Sequence, residues 1–263
     1  MTDSLVVHGI VLSSQPVGEY DRRVSVLTKE CGRITAFARG AQRPRSALVA
    51  AAQQFVTGTF TIVEGRTSNT LVQAEVSNYF TEFRSDVEKT CYGCYFCEMA
   101  EYITEENNDE REILTLLYHA LRALNHAKIG LPLVRAVFEL KMMYLNGEGP
   151  QVHECVRCRN AEGPFVFHVA SGGCLCRNCA GEAFDEAGRK AAEMRTQTVL
   201  PGYFNMNPST LYALRFIAST AAERLYTFAV SDEVLGELTG IAKEFLGHYL
   251  PHEFKSTAML ELF

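Results

Sequence analysis

The spacing of apolar residues changes near residue 80. Before it, short runs rich in Val, Ile, Thr and Phe recur at Val6–Leu12, Arg23–Thr28, Arg33–Ala38, Phe55–Val63 and Leu71–Val76. Alternation is plainest in Thr57-Gly-Thr-Phe-Thr-Ile-Val63, the period of a half-buried strand. The segment Lys29-Glu-Cys-Gly32 joins the second and third runs, as a hairpin with a Gly-bearing loop would. From Ser77 onward the period becomes helical, over Asp86–Tyr102, Arg111–His126, Pro132–Leu145, Pro208–Tyr226 and Asp232–Tyr249. Pro132 stands near a helix start, where its missing N–H costs nothing. Asn207-Pro-Ser-Thr-Leu211 is a capping-rich entry to the fourth helix.

Five strands in about eighty residues suit a small closed barrel, and the OB-fold is the five-stranded member of that class. Between the third and fourth strands, Ala47-Leu-Val-Ala-Ala-Ala-Gln53 reads as a short helix. The predicted fold class is therefore α+β, with an OB-fold barrel over 1–80 and a helical domain over 81–263. Gly147, Gly149 and Pro150 end the third helix and open an insertion at about 151–182.

That insertion carries the most specific chemistry of the chain. Cys155-Val-Arg-Cys158 and Cys176-Arg-Asn-Cys179 are two C-x-x-C pairs with seventeen residues between them. This spacing reads as a tetrahedral zinc site, each pair aiming two thiolates at one point. Phe165-Val-Phe-His-Val169 is strand-like and Ser171-Gly-Gly173 supplies a turn, so the pairs bracket a small ribbon. Redox motifs come instead as one C-x-x-C beside a βαβ pattern. Four thiolates leave no open position for water or substrate, which makes the expected Zn2+ site structural. Cys174, two residues before Cys176, can compete as a ligand; C-x-C is the poorer knuckle, and it reads as a spare thiol. With four cysteines available, neither His153 nor His168 is needed.

Nine cysteines without a secretory signal point to a reducing compartment, by default the cytoplasm. The apolar stretch Leu5–Leu12 is broken by His8 and Gly9, and reads as neither a signal peptide nor a membrane span. An apolar fraction of 47% and a charged fraction of 21% describe an ordinary globular chain of 263 residues. Its net charge of −6 argues against coating nucleic acid over the whole surface. Yet Arg22–Arg45 holds Arg22, Arg23, Lys29, Arg33, Arg39, Arg43 and Arg45 against Glu30 alone. A basic barrel on an acidic body can bind a polyanion locally and repel it elsewhere. Lys29, Arg33, Arg39, Arg43 and Arg45 are the expected phosphate contacts. The segment has few aromatics, chiefly Tyr20 and Phe37, which favours backbone contact over base stacking.

Other candidates are weaker. Cys91, Cys94 and Cys97 share one helix face, but Tyr92, Tyr95, Phe96 and Met99 around them favour core packing over a metal or redox role. His248 and His252 are four apart with Pro251 between, and read as a solvated turn. No phosphate-binding glycine loop, nucleophile elbow or H-E-x-x-H motif is present, so no enzyme is expected.

The run Gly18-Glu-Tyr-Asp-Arg-Arg-Val-Ser-Val-Leu-Thr-Lys-Glu-Cys-Gly-Arg33 closely resembles the bacterial recombination mediator family RecO. The resemblance continues through Phe37-Ala-Arg-Gly-Ala41, Arg45-Ser46 and Gln54-Phe55, then the cysteine segment, then Phe254-Lys-Ser256. It implies an OB-fold, a helical domain and a four-cysteine zinc ribbon in a non-enzymatic repair protein. Such a protein binds single- and double-stranded DNA, anneals complementary strands, and helps load the recombinase with RecR and the single-stranded-DNA-binding protein. It further implies docking of the latter's acidic C-terminal tail. The helix Pro132–Leu145 offers Arg135 and Lys141 beside Val134, Phe138 and Met142 for this. Alternatively that stripe is core, and Arg135 pairs with Glu139 at i+4. A competing reading of the whole chain is a zinc-ribbon scaffold whose barrel binds protein rather than DNA.

Overall fold

The computed structural model describes residues 4–83, 85–126, 128–181, 198–200 and 202–263. The first positions of the expected barrel domain and position 182 at the end of the expected ribbon lie outside them. The chain divides into two compact units, Met1–His126 with Phe254–Phe263, and Ala127–Glu253.

In the first unit, β1 (Ser4–Val17), β2 (Asp21–Thr28), β3 (Gly32–Ala38), β4 (Thr57–Val63) and β5 (Asn69–Asn78) close a barrel in the order β1-β2-β3-β5-β4. The chain thus has the expected OB-fold. The fourteen-residue β1 makes closure possible, because it pairs with β4 along its first half and β2 along its second. A register shift between Val11 and Ser13 bends it from one neighbour to the other. A three-residue parallel pairing of β3 with β5 seals the far side. Alternate residues of the strands, among them Val7, Val24, Val26, Ile34, Phe60, Ile62 and Leu71, fill the interior. The short helix α1 (Leu48–Ala51) adds Leu48 to that core.

Two helices complete this unit. Helix α2 (Val87–Ile103) starts at Asp86, whose carboxylate accepts from the Lys89 backbone N–H. It packs on β1, where the Ser13 hydroxyl donates to Glu101 at 2.9 Å. Helix α3 (Arg111–Ala123) packs on α2. The loop between them touches the β2–β3 hairpin: Arg33 donates from its backbone N–H to Glu105 and from Nε to the Thr104 carbonyl, both at 2.9 Å. Gly32 sits at φ +65°, and a Cβ there would meet the Glu105 carbonyl oxygen at 2.3 Å. Only glycine fits this contact.

Cys91 and Cys97 are buried within α2, and Cys94 lies half-buried with its thiol 3.6 Å from Gln54 Oε1. Burial pushes the Cys94 thiol up to about 11 and Cys97 well above its ordinary range. These are packing thiols.

The motif Phe254-Lys-Ser256 acquires a physical role in this unit. The Phe254 ring lies edge-on between Tyr95 and Tyr102, with centroids 5.6 and 5.8 Å away. One carboxylate, Glu98, accepts the Lys255 and Ser256 backbone N–H groups, each at 2.9 Å, and the Ser256 hydroxyl. It thereby caps the final helical turn, Thr257–Leu260.

In the second unit, α4 (Leu131–Leu145) leads into a four-stranded sheet of order β7-β6-β9-β8. Its strands are β6 (Phe165–His168), β7 (Gly173–Cys176), β8 (Thr198–Leu200) and β9 (Tyr203–Asn205), with α5 (Arg177–Ala180) after β7. Helices α6 (Pro208–Ser219) and α7 (Asp232–Tyr249) pack on α4. Strands β8 and β9 were not expected; three residues each are too few for alternation to register. Helix α6 ends seven residues before Tyr226. The backbone turns extended at Thr220, yet Ala222 and Leu225 remain buried, so the apolar spacing outlasts the helix.

Candidate metal centre and nucleic-acid interface

The metal centre begins with two backbone turns. In the first, Cys155 and Asn160 form a closed loop: the Cys155 N–H donates to Asn160 O at 2.8 Å and the Arg159 N–H to Cys155 O at 2.9 Å. Arg159 takes φ +59°, an uncommon conformation for a side-chain-bearing residue, to close it. The second knuckle is the end of β7 running into α5. Two bonds hold the knuckles together, Val156 N–H to Cys174 O and Arg157 Nη1 to Cys179 O, both 2.9 Å.

As a result the Sγ atoms of Cys155, Cys158, Cys176 and Cys179 all lie within 4.8 Å of one another, with Cys158 and Cys176 3.6 Å apart. A tetrahedron with metal–sulfur bonds of about 2.3 Å has sulfur–sulfur edges of about 3.8 Å, so four thiolates here suit one ion. Two donors, Cys155 and Cys176, are buried; Cys158 is exposed.

The electrostatics favour a cation. Burial works against the Cys155 thiolate, but the backbone N–H groups of Cys176, Cys158 and Arg157 outweigh it and bring the thiol down to about 6. Its neighbours go the other way. Cys179 is pushed up to about 12, first by its contact with Cys158 and then by burial. A positive charge among the four sulfurs would oppose the upward shifts at Cys158 and Cys179. Bound metal would supply that charge, and would cross-link the knuckles without an open coordination position.

Cys174 is not part of the group. Its side chain is fully buried, and that burial pushes its thiol up to about 12. His168 is engaged elsewhere, with Nδ1 2.7 Å from the Ser171 hydroxyl and its ring stacked on Tyr203 at 3.9 Å.

Side chains from the helices fix the ribbon to them. The Tyr144 hydroxyl donates to Pro150 O at 2.5 Å, and the Tyr249 hydroxyl to Val169 O at 3.1 Å. Arg215 donates from Nε to Val152 O and from Nη2 to His153 O, at 2.9 and 3.1 Å. No sequence signal marked these three side chains, because each serves a carbonyl that any residue could supply.

The five expected phosphate contacts separate into two groups. Lys29 and Arg33 lie at the β2–β3 hairpin turn, where Arg33 is already bonded to Thr104 beside the acidic loop 105–110. Arg39, Arg43 and Arg45 lie at the opposite end of β3 and are exposed. Six residues of strand separate Arg33 from Arg39, about 20 Å. Arg22 and Arg23 join the second group, since they pair with Ala38 and Phe37 at that end. The Arg43 guanidinium lies 4.6 Å from the centre of the half-exposed Tyr20 ring. Arg22 is oriented by Ser14, donating from Nε to Oγ at 2.7 Å and from Nη2 to O at 3.0 Å. The nearby Asp21 carboxylate accepts the Gly40 N–H at 2.7 Å. One barrel end thus gathers five arginines, one of them over an aromatic ring.

On α4 the outcome is the ion pair rather than the cationic rim. Val134, Phe138 and Met142 are core residues, and Arg135 Nε meets Glu139 Oε1 at 2.7 Å. Lys141 is itself buried and donates to the Ala218 carbonyl at 3.2 Å. Among the described residues, no helix is long and apolar enough to cross a membrane.

Comparison with known proteins agrees with this architecture. The recombination protein O N-terminal family model matches residues 1–80, and its C-terminal counterpart matches 84–200 and 193–258. A DNA repair protein RecO from Halalkalibacterium halodurans is 28% identical over 96% of this chain and 92% of its own. The DNA repair protein RecO of Alkaliphilus metalliredigens is 34% identical over 66% of this chain and 71% of its own. That of a Thermoanaerobacter species is 27% identical over 96% and 95%. With both family models spanning the barrel, the helices and the ribbon, the chain belongs to the RecO family of DNA repair proteins.

Proposed function

We propose that this protein is a recombination mediator that binds single- and double-stranded DNA through the arginine end of its barrel. In this reading it anneals complementary strands at the nucleoid, in the cytoplasm. With RecR and the single-stranded-DNA-binding protein, it helps load the recombinase. The carrying observation is the cluster of Arg22, Arg23, Arg39, Arg43 and Arg45 at one end of an OB-fold in a chain of net charge −6. Guanidinium contacts to phosphate are independent of sequence and leave base edges available for a second strand, which is what annealing requires. Lys29 and Arg33 contribute only to a strand long enough to run down the barrel. The ion is Zn2+, for which four thiolates in a closed shell are the usual structural donor set. Arg135 and Lys141 are left out of the tail-docking role, since their apolar neighbours are core.

A strand-annealing assay on purified protein, with metal analysis of the same sample, tests the reading. Accelerated annealing that declines with salt, together with one zinc per chain, is the expected result. Protein that binds neither single strands nor duplex at low salt would sink it, and would favour a protein-binding barrel.

A further inference from the structure

Beside the arginine end, a cleft of about 530 Å³ opens between β1, β2, α1 and the loops that flank α1. Ser14, Arg22, Gln42 and Gln53 line it together with the apolar Ala41 and Val49. We propose that this cleft receives one unstacked nucleobase from a single strand whose phosphates lie on the arginines. The inference rests on the DNA-binding reading above and adds a base-binding subsite to it.

Size and chemistry both fit. The volume exceeds that of a single base, and the half-buried Val49 offers one of its faces apolar contact. Two of the polar groups are already oriented, and both have capacity left. Arg22 uses Nε and Nη2 on Ser14, which leaves the Nη1 donors for a ring nitrogen or carbonyl. Gln42 donates from Nε2 to Asp21 O at 2.8 Å and to Gly18 O at 3.4 Å, which fixes its amide and leaves Oε1 as an acceptor. A donor and an acceptor held by backbone carbonyls match a base edge that offers the complement, as cytosine and guanine both do. A paired base has that edge occupied, so the cleft selects single strands over duplex. Tyr20, half-exposed under Arg43, supplies a stacking surface at the same barrel end.

The test compares binding of a deoxycytidine oligomer with that of an oligomer of equal length made of abasic residues, which has the same phosphates and no bases. Wild type should prefer the first by about tenfold, the effect of one ordered base. Val49→Trp fills the cleft from a half-buried position, and Gln42→Leu removes the acceptor. Each should bring the preference towards unity while affinity for the abasic oligomer stays constant. If wild type binds both oligomers equally, or both variants keep the full preference, the base pocket is overturned and the arginine surface stands. If neither oligomer binds, the DNA-binding reading has failed, and the pocket with it.

Discussion

The barrel and the metal ribbon solve the same problem, holding short strands in place, by different physics. In the barrel every strand has a neighbour on both sides, and the interior is filled by apolar side chains from all five. Its shape follows from pairing and burial, which leaves the barrel end free to carry exposed arginines. The ribbon has strands of three or four residues in an open sheet, too little to enclose a core of its own. Side chains from α4, α6 and α7 reach in to take its carbonyls, and four thiols gather where the chain ends meet. One region is stable by geometry, and the other gathers four thiols that coordination chemistry could tie together. Conditions that act on thiols should therefore separate them.

The largest separation should come from metal removal. Zinc binding at such a site can contribute about 10–16 kcal/mol of apparent free energy at neutral pH, much of it folding free energy. Cys176→Ser, or a strong chelator, should leave the ribbon open to protease while the barrel remains resistant. The pH dependence has a definite sign. Cys179 starts near 12 without metal, so binding expels protons, and occupancy should fall as pH falls. Metal analysis across an acid titration, with limited proteolysis of each sample, reads both effects. A Cys176→Ser protein that keeps a full equivalent of zinc and a resistant ribbon would end the distinction.

A smaller effect, confined to the other unit, is expected from Phe254→Ala. The ring is 6% exposed between Tyr95 and Tyr102, and large aromatic truncations of this kind cost about 3–5 kcal/mol. Denaturant unfolding of the barrel unit should shift accordingly with zinc content unchanged. Loss of zinc in this variant would mean that the two units do not unfold separately.

The two ends of the barrel differ as well. Replacing Arg39, Arg43 and Arg45 together by Ala should make the salt dependence of single-strand binding shallower by about 2 in log–log slope. Lys29→Ala, at the hairpin end, should change it by at most about 0.7. Equal effects from the two proteins would return the interface to the whole length of the barrel.

What was legible in the sequence follows the same division. Strand alternation and the two C-x-x-C pairs are local signals, and they marked all five barrel strands and all four clustered thiols. Charge counting found the basic segment but treated it as one patch. It could not register that β3 carries Arg33 and Arg39 to opposite ends, since that follows from strand length and pairing. Arg135 beside Val134 and Phe138 looked like a cationic rim because a helical stripe reads the same whether it faces solvent or core. The carbonyl-seeking side chains Tyr144, Arg215 and Tyr249 gave no signal, and neither did Glu98. Their partners, mostly backbone groups, come within reach only when the chain folds.

The smallest expected effect makes the sharpest check on the ligand set. Cys174 lies two residues from Cys176 in β7, and sequence alone lets it compete for the ion. In the structure it is fully buried, and the cluster forms without it. As a packing thiol, its replacement by Ala should cost about 1 kcal/mol, the typical effect of a small truncation. Zinc stoichiometry should remain at one per chain, whereas Cys176→Ala should abolish it. Measuring zinc in both alanine variants, purified side by side, decides the matter. Retention in Cys176→Ala with loss in Cys174→Ala would exchange the two ligands, and would require β7 to shift its register against β6 to bring Cys174 to the cluster.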